Sequence, residues 1–378
     1  MSTGHSYTPG LRVTARTTVR KERRLPIRGK VLVEKGAVVR SQDVVAHAEL
    51  PGDVATVNAV NLLGVTPGEL PRLMLKKPGD AVRRDEVIAR TQGWIKWFNS
   101  EVRSPSDGTL ETVSQITGQV IVRTPPRPLD VLAYVDGTVV EVWPEEGVAV
   151  ETRAALVQGI LGIGGEVSGE LAMAGEGPEV VIGPGDLTEA HAGKIVVAGA
   201  LITREVYDRA ARVGVAALVS GGFHDADLRG LLGYDLGVAI TGHETVRPTL
   251  IITEGFGRIA MARRTHELLA SHAGRRASAN GATQIRAGVL RPEIIIPLAD
   301  ETAGGTGQPQ AEEARGLTIG STVRIIREPG FGRLGVVRAL PPEARRVESE
   351  ATVRVVELEL GGGETMIVPR TNVEVVGS

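Results

Sequence analysis

Residues 76–122 read KKPGDAVRRDEVIARTQGWIKWFNSEVRSPSDGTLETVSQITGQVIV, and they carry a phrase that occurs twice in the chain. GDAVRRDEVIA at 79–89 repeats GAVVRSQDVVA at 36–46, and a fainter third copy is read at 147–157. In each, a Gly makes a tight turn, a Val enters a strand, a polar or acidic turn follows, and a short β run closes the unit. Turn, strand, turn, strand at this spacing is the pattern of short antiparallel strands. Neither half carries enough apolar surface to stand alone, so the two are expected to bury their faces against each other.

The phrase resembles the half-motif of the biotinyl/lipoyl-like fold, the barrel-sandwich hybrid. Ser104-Pro105-Ser106-Asp107-Gly108-Thr109-Leu110 is similar to that fold's strand entry, and Tyr134-Val135-Asp136-Gly137-Thr138-Val139 echoes it. The resemblance covers residues 26–171. It implies a β platform and does not by itself imply an activity. Carrier members present a modifiable lysine on an exposed hairpin, flanked by Met, Ala or Asp. Lys96 lies instead in Trp94-Ile95-Lys96-Trp97-Phe98, which reads as a half-buried aromatic strand, so an unmodified scaffold is expected and no cofactor.

At 378 residues the chain has room for two to four domains with cores of their own. Its 48 Gly and 21 Pro suit many short strands and turns. The absence of Cys excludes disulfides, thiolate zinc sites and Cys nucleophiles. No signal-peptide core and no apolar run of about 20 residues is present, so a cytoplasmic protein without a membrane span is expected. The formal net charge of −2 is unevenly spread. Arg12, Arg16, Arg20, Lys21, Arg23, Arg24, Arg28 and Lys30 face one acid, Glu22. Residues 1–25 are therefore read as a basic arm, for nucleic acid, an anionic lipid surface or an acidic patch on a neighbouring subunit, or else as a solvated tail.

The β-rich region is assigned to 26–172, with a short helix over 66–73 broken by Pro71. Gly159, Gly162, Gly164, Gly165 and Gly169 invite a dinucleotide reading, but such a fingerprint opens a helix and Glu166-Val167-Ser168 continues as strand. Hairpin turns are expected there. From 173 to 299 the period changes. Strands at 195–198, 215–219, 238–240, 250–252 and 294–296 alternate with three helices. One is capped by Thr203 and closed by Gly214, one is capped by Asp225 and closed by Gly233, and one spans 258–272. Alternation of this kind predicts a small α/β domain of swivelling or Rossmann-like pattern.

Residues 300–315 lack apolar period and read as a linker. From 316 to 378, Gly320-Ser321-Thr322-Val323-Arg324-Ile325 and Pro329-Gly330-Phe331-Gly332-Arg333-Leu334-Gly335 look like the KOW motif, which implies a small β-barrel. The whole chain is thus expected to be multidomain α+β: a barrel-sandwich hybrid, an α/β domain and a KOW-like barrel.

Ligands of open α/β sheets bind at the carboxyl ends of the strands. The residues there are Gly221, Gly222, His224, Gly255, Gly257 and Arg258, with Arg286 added; exposed N–H groups and arginines of this kind can hold an anion. The same glycines equally serve tight βα turns. His224, Asp225, Asp227, His243 and Glu244 share no metal-ligand spacing, and neither Ser220 nor Ser278 lies in a nucleophile elbow, so no metal and no catalytic residue is assigned. Arg333 and Arg338 join the basic arm as candidate nucleic-acid or partner contacts, although eight Arg meet eight Glu between 316 and 378. The leading expectation is a non-catalytic assembly protein that forms a homo-oligomer or joins other protein subunits. A nucleic-acid-associated factor and a ligand-binding protein or enzyme are the alternatives.

Overall fold

The computed structural model describes residues 11–91, 100–233, 246–284, 290–298, 317–325, 330, 333–341, 344–346, 352–361 and 363–375. Both full copies of the repeated phrase take the same form. Gly36 and Gly79 turn the chain at φ 91° and 95°, a region that penalises a Cβ. Val38–Val39 and Val44–Leu50 follow in the first copy, Ala81–Val82 and Val87–Arg90 in the second. The turn between the strands closes on an acid: Asp43 accepts the Arg40 N–H and Glu86 accepts the Arg83 N–H, each at 2.8 Å.

The two copies do not pack on each other. Each is completed by its own downstream Asp-Gly-Thr. Val38–Val39 pairs with Gly137–Trp143, and Ala81–Val82 pairs with Gly108–Val113. Asp136 Oδ1 accepts the Ser41 N–H at 2.6 Å, and Asp107 Oδ1 accepts the Arg84 N–H at 3.0 Å. Glycine is required at 108 and 137 because a Cβ would lie 2.1 Å from the Arg123 carbonyl and 2.3 Å from that of Glu151. The resulting units are nested. The chain leaves the outer unit after Leu50 and re-enters it at Arg127, its direct partner across the ladder. Their cores are separate: Val39, Val45, Val139 and Val148 fill one, while Val82, Ile88, Leu110 and Val122 fill the other. The third copy is corrected, since Gly147–Gln158 is an unbroken strand of 12 residues.

That strand is the hub of an 11-stranded sheet. One edge pairs with Val13–Arg24, the other with Gly137–Trp143 and Glu293–Pro297. Beyond Glu293–Pro297 the order runs Arg276–Asn280, Glu166–Met173, Ile195–Val197, Ala217–Phe223, Thr249–Phe256 and Leu161–Ile163. Glu166–Met173 through Thr249–Phe256 pair in parallel, so one sheet carries antiparallel β structure into an α/β layer. The strands flanking the 159–169 glycines do not form the expected hairpin. Leu161–Ile163 pairs with Thr249–Phe256, at a distance from Glu166–Met173 in the strand order.

Helix Arg204–Val213 forms as its signals predict: Thr203 Oγ1 accepts the Val206 N–H, Val206, Tyr207, Ala210 and Val213 are buried, and Gly214 ends it at φ 81°. Helix Asp225–Leu232 begins at Asp225, with His224 at the cap position. Asp225 instead pairs with Arg229 one turn on, at 2.7 Å. The third helix is Arg263–Ser271, five residues shorter at its start than expected, because Gly257, Ile259 and Met261 donate their N–H groups to Phe223, Ala200 and Pro178. In the inner unit, Leu70–Leu73 accepts Pro71 in its first turn, where a missing N–H costs nothing. Ala59–Leu63 is a helix that periodicity over so short a run did not signal. The strand expected at 238–240 and the linker at 300–315 lie outside the described residues.

Thr322–Ile325, Leu334–Ala339, Ala344–Arg346, Thr352–Leu360, Thr365–Pro369 and Val373–Val375 form a six-stranded C-terminal sheet around Val323, Ile325, Val337, Leu358 and Val373. No helix of the described residues is long and apolar enough to cross a membrane.

Candidate functional site

At the carboxyl edge of the parallel strands, the chain itself occupies the ground where a ligand was expected. A Cβ on Gly222 would lie 1.9 Å from the Gly257 carbonyl, and one on Gly221 would lie 2.1 Å from that of Ile259. These glycines therefore admit the crossing 255–261 backbone, and their N–H groups are not turned to an anion: that of Gly221 donates to Gly199 at 2.8 Å. Gly257 sits in the same crossing at φ 91°, and Gly255 is buried. His224 and Arg258 are exposed at its margin. Arg286, His243 and Glu244 lie outside the described residues, and no group of three metal-ligating side chains occurs among those described.

One acid at this edge has a role that periodicity could not show. Glu254 is the one charged residue of strand Thr249–Phe256 and is buried; its Oε1 accepts the Ala262 N–H at 3.0 Å. Its Oε2 meets Arg324 of the C-terminal sheet at 2.5 Å, with the two side chains 7% and 2% exposed. Arg324 alternates with Val323 and Ile325, which fill the C-terminal core, so it projects outward onto the α/β layer. The signal was a lone Glu in LIITEGF and a lone Arg in TVRI, each a charge within a buried run.

The basic segment is the longest partner of the hub strand rather than an arm. Val13, Thr14, Thr17, Thr18 and Val19 are β-branched and suit a strand, and Val13–Arg24 pairs with Gly147–Gln158 in antiparallel register. Its charges are matched within the chain. Arg20 meets Glu141, Lys21 meets Glu293, Arg23 grips both oxygens of Glu166 at 2.7 and 2.6 Å, and Arg24 meets Glu22 and Glu146 at 3.0 and 2.9 Å. Arg12 is held by its backbone to Gln158, and Arg16 is exposed at the register shift between Thr14 and Thr17. Lys21 and Arg23 also flank the Tyr134 ring, 5.9 and 5.4 Å from its centroid. Burial, then the neighbouring Glu293 carboxylate, pushes the Tyr134 hydroxyl well above its ordinary range.

The C-terminal arginines follow the same rule. Arg333 is bidentate with Glu364 at 3.1 and 2.5 Å, Arg338 meets Glu359 at 2.6 Å, and Arg345 meets Glu357 at 3.1 Å. A phosphate backbone would have to displace a carboxylate at each of them.

The inner unit offers a different surface. Strand Val54–Asn58 leaves the junction with the outer unit, where Val54 faces Arg123, and reaches Asn58 opposite Gln119 at the far end. Helix Ala59–Leu63 and the turn before Gly118 sit at that far end, joined by the Ala59 N–H to the Gly118 carbonyl. Leu62 is 55% exposed there and Ile116 is 89% exposed. No family model matches this chain, and no curated protein matches it.

Proposed function

We propose that the chain is a non-catalytic assembly subunit, built on two nested units of barrel-sandwich type with a KOW-like barrel at its C-terminus. In this reading it self-associates through the far end of the inner unit. The observation that carries the reading is the insertion itself. Leu50 and Arg127 face each other across the outer ladder, so the outer core is complete without residues 52–125. A module that the host core does not need, ending in an isoleucine left 89% exposed, is suited to contact with another copy. Its Arg123–Glu111 and Lys76–Glu86 ion pairs are closed within the unit.

Light scattering on the native chain across micromolar concentrations tests this, beside a Leu62→Glu, Ile116→Glu double variant. An oligomer that the double variant dissociates, at an unchanged melting temperature, is the expected result. A native chain that is strictly monomeric, or an oligomer indifferent to both substitutions, overturns it.

A further inference from the structure

A crevice of about 540 Å³ lies where the outer unit meets the α/β layer. This is within the size range of small-molecule sites. Ser41 and Tyr134 come from the outer unit, Glu166 and Ser168 from the strand Glu166–Met173, and Arg247 from the segment before Thr249–Phe256. The two walls are tied together by Gln42, whose Nε2 donates to Ser168 Oγ at 3.3 Å.

Three features set it apart from an ordinary seam. Ser41 is 4% exposed, and its Oγ has no hydrogen-bond partner among the described residues, a rare state for a buried hydroxyl. Tyr134, equally buried, holds φ at 70°, a conformation unfavourable for a bulky side chain and concentrated at binding and catalytic sites. The Ser41 carbonyl fixes it there by accepting the Tyr134 N–H at 2.9 Å. Finally, the charges are asymmetric. Glu166 is neutralised by Arg23, whereas exposed Arg247 has no ion-pair partner among the described residues. The C-terminal turn of helix Arg204–Val213 contributes Ala211 and Gly214 to the same lining, and a helix C-terminus favours a donor or a cation. Leu132, Val167, Val215 and Pro248 supply apolar wall.

We propose that this crevice binds a small zwitterion with an apolar body, of the chemistry an apolar amino acid represents. Its carboxylate pairs with Arg247, and its ammonium faces the end of helix Arg204–Val213. The site is independent of the self-association proposed above.

Calorimetric titration of the full chain with L-phenylalanine, 3-phenylpropionate and phenethylamine tests it. L-phenylalanine should saturate one site, and loss of either charged group should weaken binding about ten-fold or more, ~1.4 kcal/mol. Arg247→Ala should erase the difference between L-phenylalanine and phenethylamine. Ala211→Phe, at the exposed rim, should block binding. The proposal is overturned if none of the three probes saturates by about 10 mM, a millimolar constant being about −4 kcal/mol. It is equally overturned if L-phenylalanine binds with the same affinity to the Arg247→Ala protein.

Discussion

Replacing Arg324 by Met should undock the C-terminal sheet from the α/β layer, because it strands a carboxylate that is 7% exposed. For charge centres about 4 Å apart, an effective dielectric near 20 gives an attraction of about 4 kcal/mol. Desolvating the two ions offsets most of that, so the intact pair adds little net stability. Removing one partner is another matter: the remaining buried charge keeps its desolvation cost and loses its compensation, at about 3–5 kcal/mol. Glu254→Gln should cost less, because Arg324 keeps a further interaction and the amide oxygen keeps the Ala262 N–H bond. The double variant should cost less than the two single variants together, by a coupling energy of about 0.5–3 kcal/mol. Scanning calorimetry reads this directly. Each single variant should split off a low-temperature transition for the C-terminal sheet, and the double variant should restore joint melting. Hydrogen exchange at Val323–Ile325 should rise in the single variants alone. Single variants that each cost under about 1 kcal/mol and sum in the double would show a solvent-screened surface pair, and the docked arrangement would be refuted.

Three further outcomes follow from particular contacts. Gly222→Ala places a Cβ 1.9 Å from the Gly257 carbonyl and should cost about 3 kcal/mol or more, read as a lowered urea midpoint. Asp136→Ala and Asp107→Ala should each cost about 1–2 kcal/mol by freeing the Ser41 or Arg84 N–H, and hydrogen exchange should rise only in the unit that carries the substitution. His47 has its pKa raised above 6.5, first by Asp130 at 2.7 Å and then by Glu49. Its folded-state pKa exceeds the unfolded one, so its contribution is complete below pH 6.5 and is lost as pH rises through the raised value. His47→Gln should flatten stability against pH in that window, by a small amount since the pair is at the surface.

Much of the architecture was legible because it rests on local chemistry. The Gly36 and Gly79 turns, the acid that closes each, the cap at Thr203 and the stop at Gly214 depend on neighbours within a few residues. Helix Arg204–Val213 needed only its own apolar face to be read. The partners of the basic segment were not legible for the converse reason: Glu141, Glu293 and Glu166 lie more than a hundred positions from the charges they neutralise. The two Asp-Gly-Thr motifs held a clue to nesting, since they appear in the reverse order of the phrases they complete.

By itself the sequence determined the turns at Gly36 and Gly79 and the capped helix Arg204–Val213, because those choices are made over a few residues. Only the tertiary structure decided which strands pair, that one β unit sits inside the other, and that Glu254 meets Arg324 instead of a ligand. Those outcomes turn on contacts between remote segments, where backbone crossing at Gly222 and charge compensation at Arg324 outweigh any local preference.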